Sequence, residues 1–368
     1  NSRRHYDEAR KYLPGGQTRS VLTHAPFPLT FVSGSGATLT DADGHTYLDF
    51  LGDYTAGLLG HSERRVLDKA FEALSTNASV GGIHPAEATL AKLMCERFGI
   101  ERVRFTNSGT EAAELAIKMA RKYHYEKGKP QRTQIITFEG AFHGRSTGAI
   151  AAAGSEKMVK GYGPLMPGFV QVKWADHDAL RAAITDQTCA VMIEPVQGEG
   201  GIRIVPDQCL KGLRDLCDAT GTLLIFDEVQ CGMGRTGKLF AHEWSGITPD
   251  IMMVAKGIGG GFPLGAVLAT ENAAFGMGAG THGSTYGGNP LACAVGSKVM
   301  QIVADDAFLA EVSRKAALLR QGLESLVAAR PNVFEAVRGE GLILGLKCTA
   351  LNTDIVKAGY QAGVLTVP

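Results

Sequence analysis

The stretch Leu223-Leu224-Ile225-Phe226-Asp227-Glu228-Val229-Gln230 runs from apolar residues straight onto two consecutive carboxylates. A short, unbroken apolar run is the signature of a strand buried on both faces. In open α/β sheets, ligands bind at the carboxyl ends of such strands. Other runs have the same form. Val103–Phe105 leads into Thr106-Asn107-Ser108-Gly109-Thr110-Glu111, and Ile135–Phe138 into Glu139-Gly140-Ala141-Phe142-His143-Gly144-Arg145. Ala190–Ile193 ends at Glu194-Pro195, and Ile251–Ala255 ends at Lys256-Gly257. If these strands are parallel, carboxylates, a lysine, an aromatic ring and a Ser/Gly/Thr loop converge on one sheet edge. Helical stretches lie between several of them. The expected fold is therefore α/β, with a mostly parallel central sheet covered by helices.

Outward from that centre the pattern changes. Residues 37–50 alternate in polarity around Asp43-Gly44, a hairpin turn pair. From about residue 296 a helical segment leads to Val333–Lys347, which again reads as strands. The expected organisation is a large domain over 51–295, with 1–50 and 296–368 forming a smaller α+β domain.

Composition narrows the function. The 368 residues are 45% apolar and 20% charged, enough for a sizeable core. Lys+Arg and Asp+Glu are both 37, which argues against nucleic-acid or membrane-surface binding. No apolar run approaches the ~20 residues of a membrane span, and the first residues carry no charged-then-apolar export signal. Glycine is abundant, at 47 residues, which suggests tight turns and close backbone approach to a ligand. The seven cysteines are odd in number and form no C-x-x-C pair, pointing to a reducing, cytoplasmic compartment. Metal-ligand spacing is missing: Gly246 stands where His242-Glu243 would need a second histidine.

Ser108-Gly109-Thr110 precedes Ala112, Leu115, Ala116, Met119, Ala120 and Tyr123, one apolar stripe of a helix. A small-residue loop entering a helix is either an ordinary cap or a phosphate site. Lys256 and Asp227 taken together suggest a carbonyl cofactor. Lysine forms a Schiff base with an aldehyde, and an aspartate keeps a pyridine nitrogen protonated. That pairing is how pyridoxal phosphate is held. Phe142 could lie against the ring face.

The motifs N-S-G-T-E (107–111), A-F-H-G-R (141–145), E-P-V-Q-G-E-G-G (194–201), F-D-E-V-Q (226–230), A-K-G (255–257) and T-H-G-S-T-Y-G-G-N-P (281–290) resemble the class III, fold type I aminotransferases. The resemblance covers nearly the whole chain. Residues 113–368 look most like acetylornithine aminotransferases. Residues 1–112 look more like β-amino-acid (β-phenylalanine) aminotransferases, with glutamate-1-semialdehyde aminomutase more distant, and T-R-S-V-L-T-H-A-P-F-P-L-T (18–30) carries that likeness. The pattern reads as a mosaic with its seam after the phosphate motif.

The resemblance implies roles. Lys256 would hold pyridoxal 5'-phosphate covalently and move the proton, and Asp227 would pair with the ring nitrogen. Gln230 would contact the ring hydroxyl, with Val229 and Phe142 on opposite ring faces and His143 also at the cofactor. Ser108, Gly109 and Thr110 would hold the phosphate, and Thr285, with Ser284 beside it, would complete that site from the partner subunit of a homodimer. Glu194 would support the site from behind. Arg145 matches a carboxylate-gripping arginine of the acetylornithine group, and Arg19 one of the β-amino-acid group. Glu199 matches a glutamate that in relatives pairs with an arginine and lets one pocket accept two substrates. A further carboxylate-binding arginine of the family lies past Gly363-Val364-Leu365-Thr366-Val367-Pro368, where this sequence stops. Were it absent, the expected acceptor would shift from 2-oxoglutarate toward a pyruvate- or amine-type compound. The implied activity is ping-pong transfer of an amino group from a distal-amine donor to an oxo acid or aldehyde. β-Amino-acid transamination is the alternative, and aminomutase chemistry a third.

Two motifs point elsewhere. Gly232–Lys238 fits G-x-x-x-x-G-K, but Leu239 replaces the magnesium-binding hydroxyl of a P-loop. Gly144-Arg145-Ser146-Thr147-Gly148 fits the G-x-S-x-G elbow of a serine hydrolase, yet Glu139–His143 separates Ser146 from its strand. Gly257–Phe262 breaks the dinucleotide fingerprint at Phe262.

Overall fold

The computed structural model describes residues 1–19 and 27–368. Residues 20–26, within the 18–30 stretch singled out above, lie outside the described residues. At the centre is a seven-stranded sheet. Its order is Arg102–Thr106, Gly265–Ala269, Ile251–Val254, Leu223–Asp227, Thr188–Ile193, Gln134–Phe138, Phe169–Val172. The strands from Ile251–Val254 to Phe169–Val172 pair in parallel. Gly265–Ala269 runs antiparallel to both its neighbours, so Arg102–Thr106 points the same way as the rest. The five runs read from sequence thus end at one edge. The antiparallel Gly265–Ala269 and the outer Phe169–Val172 were not anticipated. Gly265–Ala269 is apolar and buried throughout, but it follows a glycine-rich stretch that reads as a loop.

Period-two alternation divides the sheet between two cores. Leu224 and Phe226 face a layer containing Leu90, Met94, Leu210, Leu213, Val295 and Val299, from the helices Pro85–Phe98, Asp207–Thr220 and Pro290–Val303. Leu223 and Ile225 face the helix Gly109–Glu126, which buries Ala112, Leu115, Ala116, Met119 and Ala120 against them. Small alanines let that helix lie close to the sheet. Each large side chain buried here contributes roughly 1.5–3 kcal/mol. By the same parity Asp227 emerges on the Gly109–Glu126 side, where that helix begins.

The two ends of the chain meet in a second sheet, ordered Phe31–Ser35, Thr38–Asp41, Thr46–Asp49, Val364–Leu365. The turn at Asp43-Gly44 closes its hairpin, with Gly44 at φ +90° and Asp41 Oδ1 accepting the Asp43 and His45 N–H groups at 2.9 Å. Val364–Leu365 pairs in parallel with Thr46–Asp49. Phe334–Glu340 and Ile343–Cys348 form a separate antiparallel hairpin. Among the described residues no helix is long and apolar enough to cross a membrane.

Candidate active site

Asp227, at the end of its strand, is buried. Its Oδ1 accepts the Val229 N–H at 3.0 Å, and its Oδ2 lies 2.8 Å from His143 Nδ1. His143 lies beyond Gln134–Phe138, the second strand over from that of Asp227, with Thr188–Ile193 between them, and is equally buried. Burial alone would lower its pKa, but the hydrogen bond and charge of Asp227, with Glu194 beyond, outweigh this and raise it. His143 Nε2 has no partner among the described residues. Glu194, at the end of Thr188–Ile193, accepts the Phe142 N–H at 3.0 Å. Burial, with the charge of Asp227 adding to it, pushes its carboxyl up to about 8 against the opposing pull of His143 and Lys256. Near neutral pH a carboxyl so raised is mostly protonated.

Lys256 follows the Ile251–Val254 strand with a left-handed backbone, φ +49°. Such a conformation costs a non-glycine residue roughly 1–3 kcal/mol and tends to persist at functional sites. Burial lowers the Lys256 pKa, with Asp227, Glu199 and Glu194 pulling the other way. A partly desolvated lysine supplies more of its neutral amine, the form that attacks carbonyls and takes up protons.

Ser108 caps the helix Gly109–Glu126: its Oγ accepts the Glu111 N–H at 3.2 Å. The first-turn N–H groups of a helix lack partners within it and draw an anion. Space at this end is tightly shaped. A Cβ on Gly109 would lie 2.9 Å from Val229 Cγ1, and one on Gly144 (φ +126°) would lie 2.4 Å from Thr110 Oγ1. Thr110 Oγ1 in turn accepts the Arg145 N–H at 3.2 Å. A helix N-terminus shaped by glycine, a half-buried lysine and a buried carboxylate thus gather at one sheet edge.

The aminotransferase class-III family model matches residues 21–368. The chain belongs to the class III aminotransferases. It is 59% identical over 352 residues to an acetylornithine aminotransferase of Rhodobacter capsulatus, covering 95% of this chain and 90% of that protein. That alignment crosses the seam read from sequence near residue 112. Among solved structures, the ornithine aminotransferase of Toxoplasma gondii superposes with a TM-score of 0.93 at 29% identity, over 100% of this chain and 88% of that one. A thermostable (S)-enantioselective omega-transaminase from Thermomicrobium roseum gives 0.89 at 29% identity, over 100% and 92%. The chain is thus a pyridoxal-phosphate-dependent transaminase of the ω-type.

The residues present fit that cofactor. Asp227 is held by the Val229 N–H and His143, Lys256 is half-buried beyond the next strand, and glycine alone leaves room at 109 and 144. Phe142 and Val229 are both half-buried. Arg145 is exposed, with its guanidinium 5.3 Å from the Phe142 ring centre. Gln230 Nε2 donates to Glu199 Oε1 at 3.2 Å, which ties these two residues together in this class III aminotransferase. Ser284 Oγ accepts from Gly287 N at 2.8 Å and from Asn107 Nδ2 at 3.4 Å, beside the cradle, while Thr285 is exposed on the same loop. Arg19 forms an exposed ion pair with Asp53 at 2.8 Å.

The rival motifs are absorbed by the fold. Ser146 caps the helix Thr147–Ala153, accepting the Ala149 N–H at 3.3 Å and donating to Glu114 Oε1 at 2.5 Å. It lies on no strand-to-helix elbow and has an acid for a partner, so the hydrolase reading is set aside. Gly232–Lys238 forms turns, and a short 3-10 turn, Ala241–Trp244, follows where a P-loop needs a helix.

The sequence did not reveal the loop Gly52–Thr55. Gly52 (φ +57°), Asp53 (+51°), Tyr54 (+53°) and Thr55 (+73°) are consecutive left-handed residues. For the three that are not glycine this costs roughly 1–2 kcal/mol each. The chain three residues past this loop borders the site: a Cβ on Gly257, next to Lys256, would lie 2.5 Å from Leu58 Cδ1. Burial raises the Tyr54 pKa, with Glu199 and Asp53 adding to the rise and Arg19 opposing it. G-D-Y-T gives no sign of this backbone, because only its first residue favours positive φ.

Proposed function

We propose that this enzyme takes the amino group from the distal amine of an N-acetylornithine-like donor and passes it to a 2-oxo acid. The observation that carries the donor is Arg145. Its backbone is fixed on Thr110 at the cradle, while its guanidinium lies over Phe142 and is open to a carboxylate. Arginine meets a carboxylate bidentately, which suits the far end of such a donor. The name of the Rhodobacter capsulatus relative supports the same choice.

Bound at this edge, pyridoxal phosphate supplies an aldehyde to carry the amino group and a protonated ring to take up an electron pair. The chain's residues do the rest. Ser108, Gly109 and Thr110 hold the phosphate. Phe142 and Val229 would flank the ring, and Gln230 would contact its hydroxyl. Asp227, fixed by His143 and the Val229 N–H, keeps the ring nitrogen protonated. Glu194 stays neutral, so it supports the Phe142 backbone without adding a competing negative charge. Lys256 Nζ would anchor the cofactor and would be the group that takes up and returns the proton of the donor carbon bearing the amine. Glu199, held by Gln230, is placed to answer an arginine when no second carboxylate is bound.

Thr285, exposed in the single chain, is assigned to the cofactor phosphate of a partner subunit, which makes the working unit a homodimer. The cysteines are free thiols, in keeping with a cytoplasmic enzyme. β-Amino-acid donors are the weaker reading, because Asp53 already occupies Arg19.

A donor screen tests the assignment, with N-acetylornithine and a β-amino acid each offered 2-oxoglutarate and pyruvate separately. N-acetylornithine should turn over fastest, with parallel-line kinetics. Arg145→Ala should raise its KM by roughly tenfold or more, the scale of a lost charge-assisted bond. Preference for the β-amino acid, with Arg19→Ala and not Arg145→Ala weakening it, would contradict the assignment.

A further inference from the structure

One buried side chain holds the strained loop beside the site. Arg235 lies on the turns that follow the Leu223–Asp227 strand, and its Nη2 donates to Thr55 O at 3.1 Å. Its backbone oxygen accepts from Leu342 N at 2.9 Å, and a Cβ on Gly341 would lie 2.5 Å from that same oxygen. The turn of the Phe334–Glu340/Ile343–Cys348 hairpin is therefore seated directly on Arg235. The residue joins three segments far apart in sequence: the turn beyond Asp227, the C-terminal hairpin and the N-terminal loop.

The guanidinium is an unusual tenant. Burial pushes its pKa down to about 10, and no carboxylate among the described residues pulls it back. Its Nε and the neighbouring Thr55 Oγ1 are both buried without a hydrogen-bond partner among the described residues. Desolvating a cation without an acid beside it is costly. Ion pairing therefore does not account for an arginine here. What the side chain does is cap the last carbonyl of a four-residue left-handed run, a backbone that persists only where its surroundings over-determine it.

We infer that Arg235 is a positioning residue for donor binding: through Thr55 O it clamps Gly52–Thr55, the loop whose Asp53 meets Arg19. The inference rests on the reading of this edge as the donor pocket. Arg235 acts through the loop, and cofactor retention does not depend on it.

The test uses the holoenzyme with Arg235→Lys, Arg235→Met and Thr55→Asn, asparagine being a residue that tolerates left-handed backbone. Amide hydrogen exchange over residues 52–58 reads the loop directly. Steady-state kinetics compare N-acetylornithine with n-butylamine, an amine without a carboxylate. Arg235→Met should speed exchange over 52–58 and raise the KM for N-acetylornithine about tenfold, the scale of one lost positioning bond. Its kcat, its cofactor absorbance and its n-butylamine kinetics should stay within about twofold. Arg235→Lys should fall between, and adding Thr55→Asn to it should recover part of the lost KM. Unchanged exchange and KM in Arg235→Met would overturn the inference. So would equal losses on both amines together with loss of cofactor, which mark a merely structural residue. If Arg235→Met does not fold, Arg235→Lys with and without Thr55→Asn carries the same comparison. If the wild type accepts neither amine, the donor reading fails, and the exchange result alone decides the clamp.

Discussion

Lys256→Ala should lower amino transfer by more than about 10⁴-fold, the upper end of what one positioned acid–base group contributes. The loss exceeds that of an ordinary base because the same amine both anchors the cofactor and moves the proton. Its environment prepares it for both tasks: burial lowers its pKa, while Asp227, Glu199 and Glu194 keep the shift from running further. The strained φ of +49° suggests that the position is kept for function and not for stability. Alanine removes the amine and leaves the backbone environment, so the protein should fold and bind cofactor non-covalently. Single-turnover assays with an added small primary amine would show partial rescue. Turnover near the wild-type level in Lys256→Ala would end the account.

Asp227→Asn should slow turnover by about 10²–10³-fold, the scale of losing one preorganised electrostatic group, while retaining cofactor. Asparagine keeps the shape and can still accept the Val229 N–H. It removes the charge that would keep the ring nitrogen protonated and that raises the His143 pKa. Asp227→Ala should be worse in a separate way. It leaves His143 buried without its anion, and breaking a buried pair costs about 3–5 kcal/mol. Thermal unfolding of the apo-proteins should therefore rank wild type above Asp227→Asn, with Asp227→Ala lowest. If Asp227→Asn kept the wild-type rate, the electron-sink role of this site would be wrong.

The sequence showed most of the sheet and the edge on which the site stands. Five apolar runs, each ending on chemistry-bearing residues, could be read because a buried parallel strand leaves a continuous apolar trace. Gly265–Ala269 carries the same trace, yet its direction could not be read: nothing local distinguishes an antiparallel strand inserted between two others. Lys256, Asp227 and the Ser108–Thr110 cap were legible as residue types at strand ends and a helix start. Their coupling was not. His143 meets Asp227 from 84 residues away, and only the strand order of the sheet, with Thr188–Ile193 between their two strands, brings them together. The Gly52–Thr55 loop and Arg235 were missed for related reasons. Positive φ at Asp53, Tyr54 and Thr55 is imposed by tertiary contacts, and Arg235 stood inside a motif weighed only as a nucleotide loop. Ser146 shows the converse, a pattern match already weakened by the residues between it and its strand, which the backbone uses as an ordinary helix cap.

The central claim is that Lys256 and Asp227 hold one cofactor between them at this sheet edge. Borohydride reduction of the purified holoenzyme, followed by peptide mass mapping, tests it most directly. The account predicts loss of the visible absorbance and a single pyridoxyl mass increment on the peptide containing Lys256. An increment on another lysine, or a chain unchanged after reduction in the presence of excess pyridoxal phosphate, would contradict it.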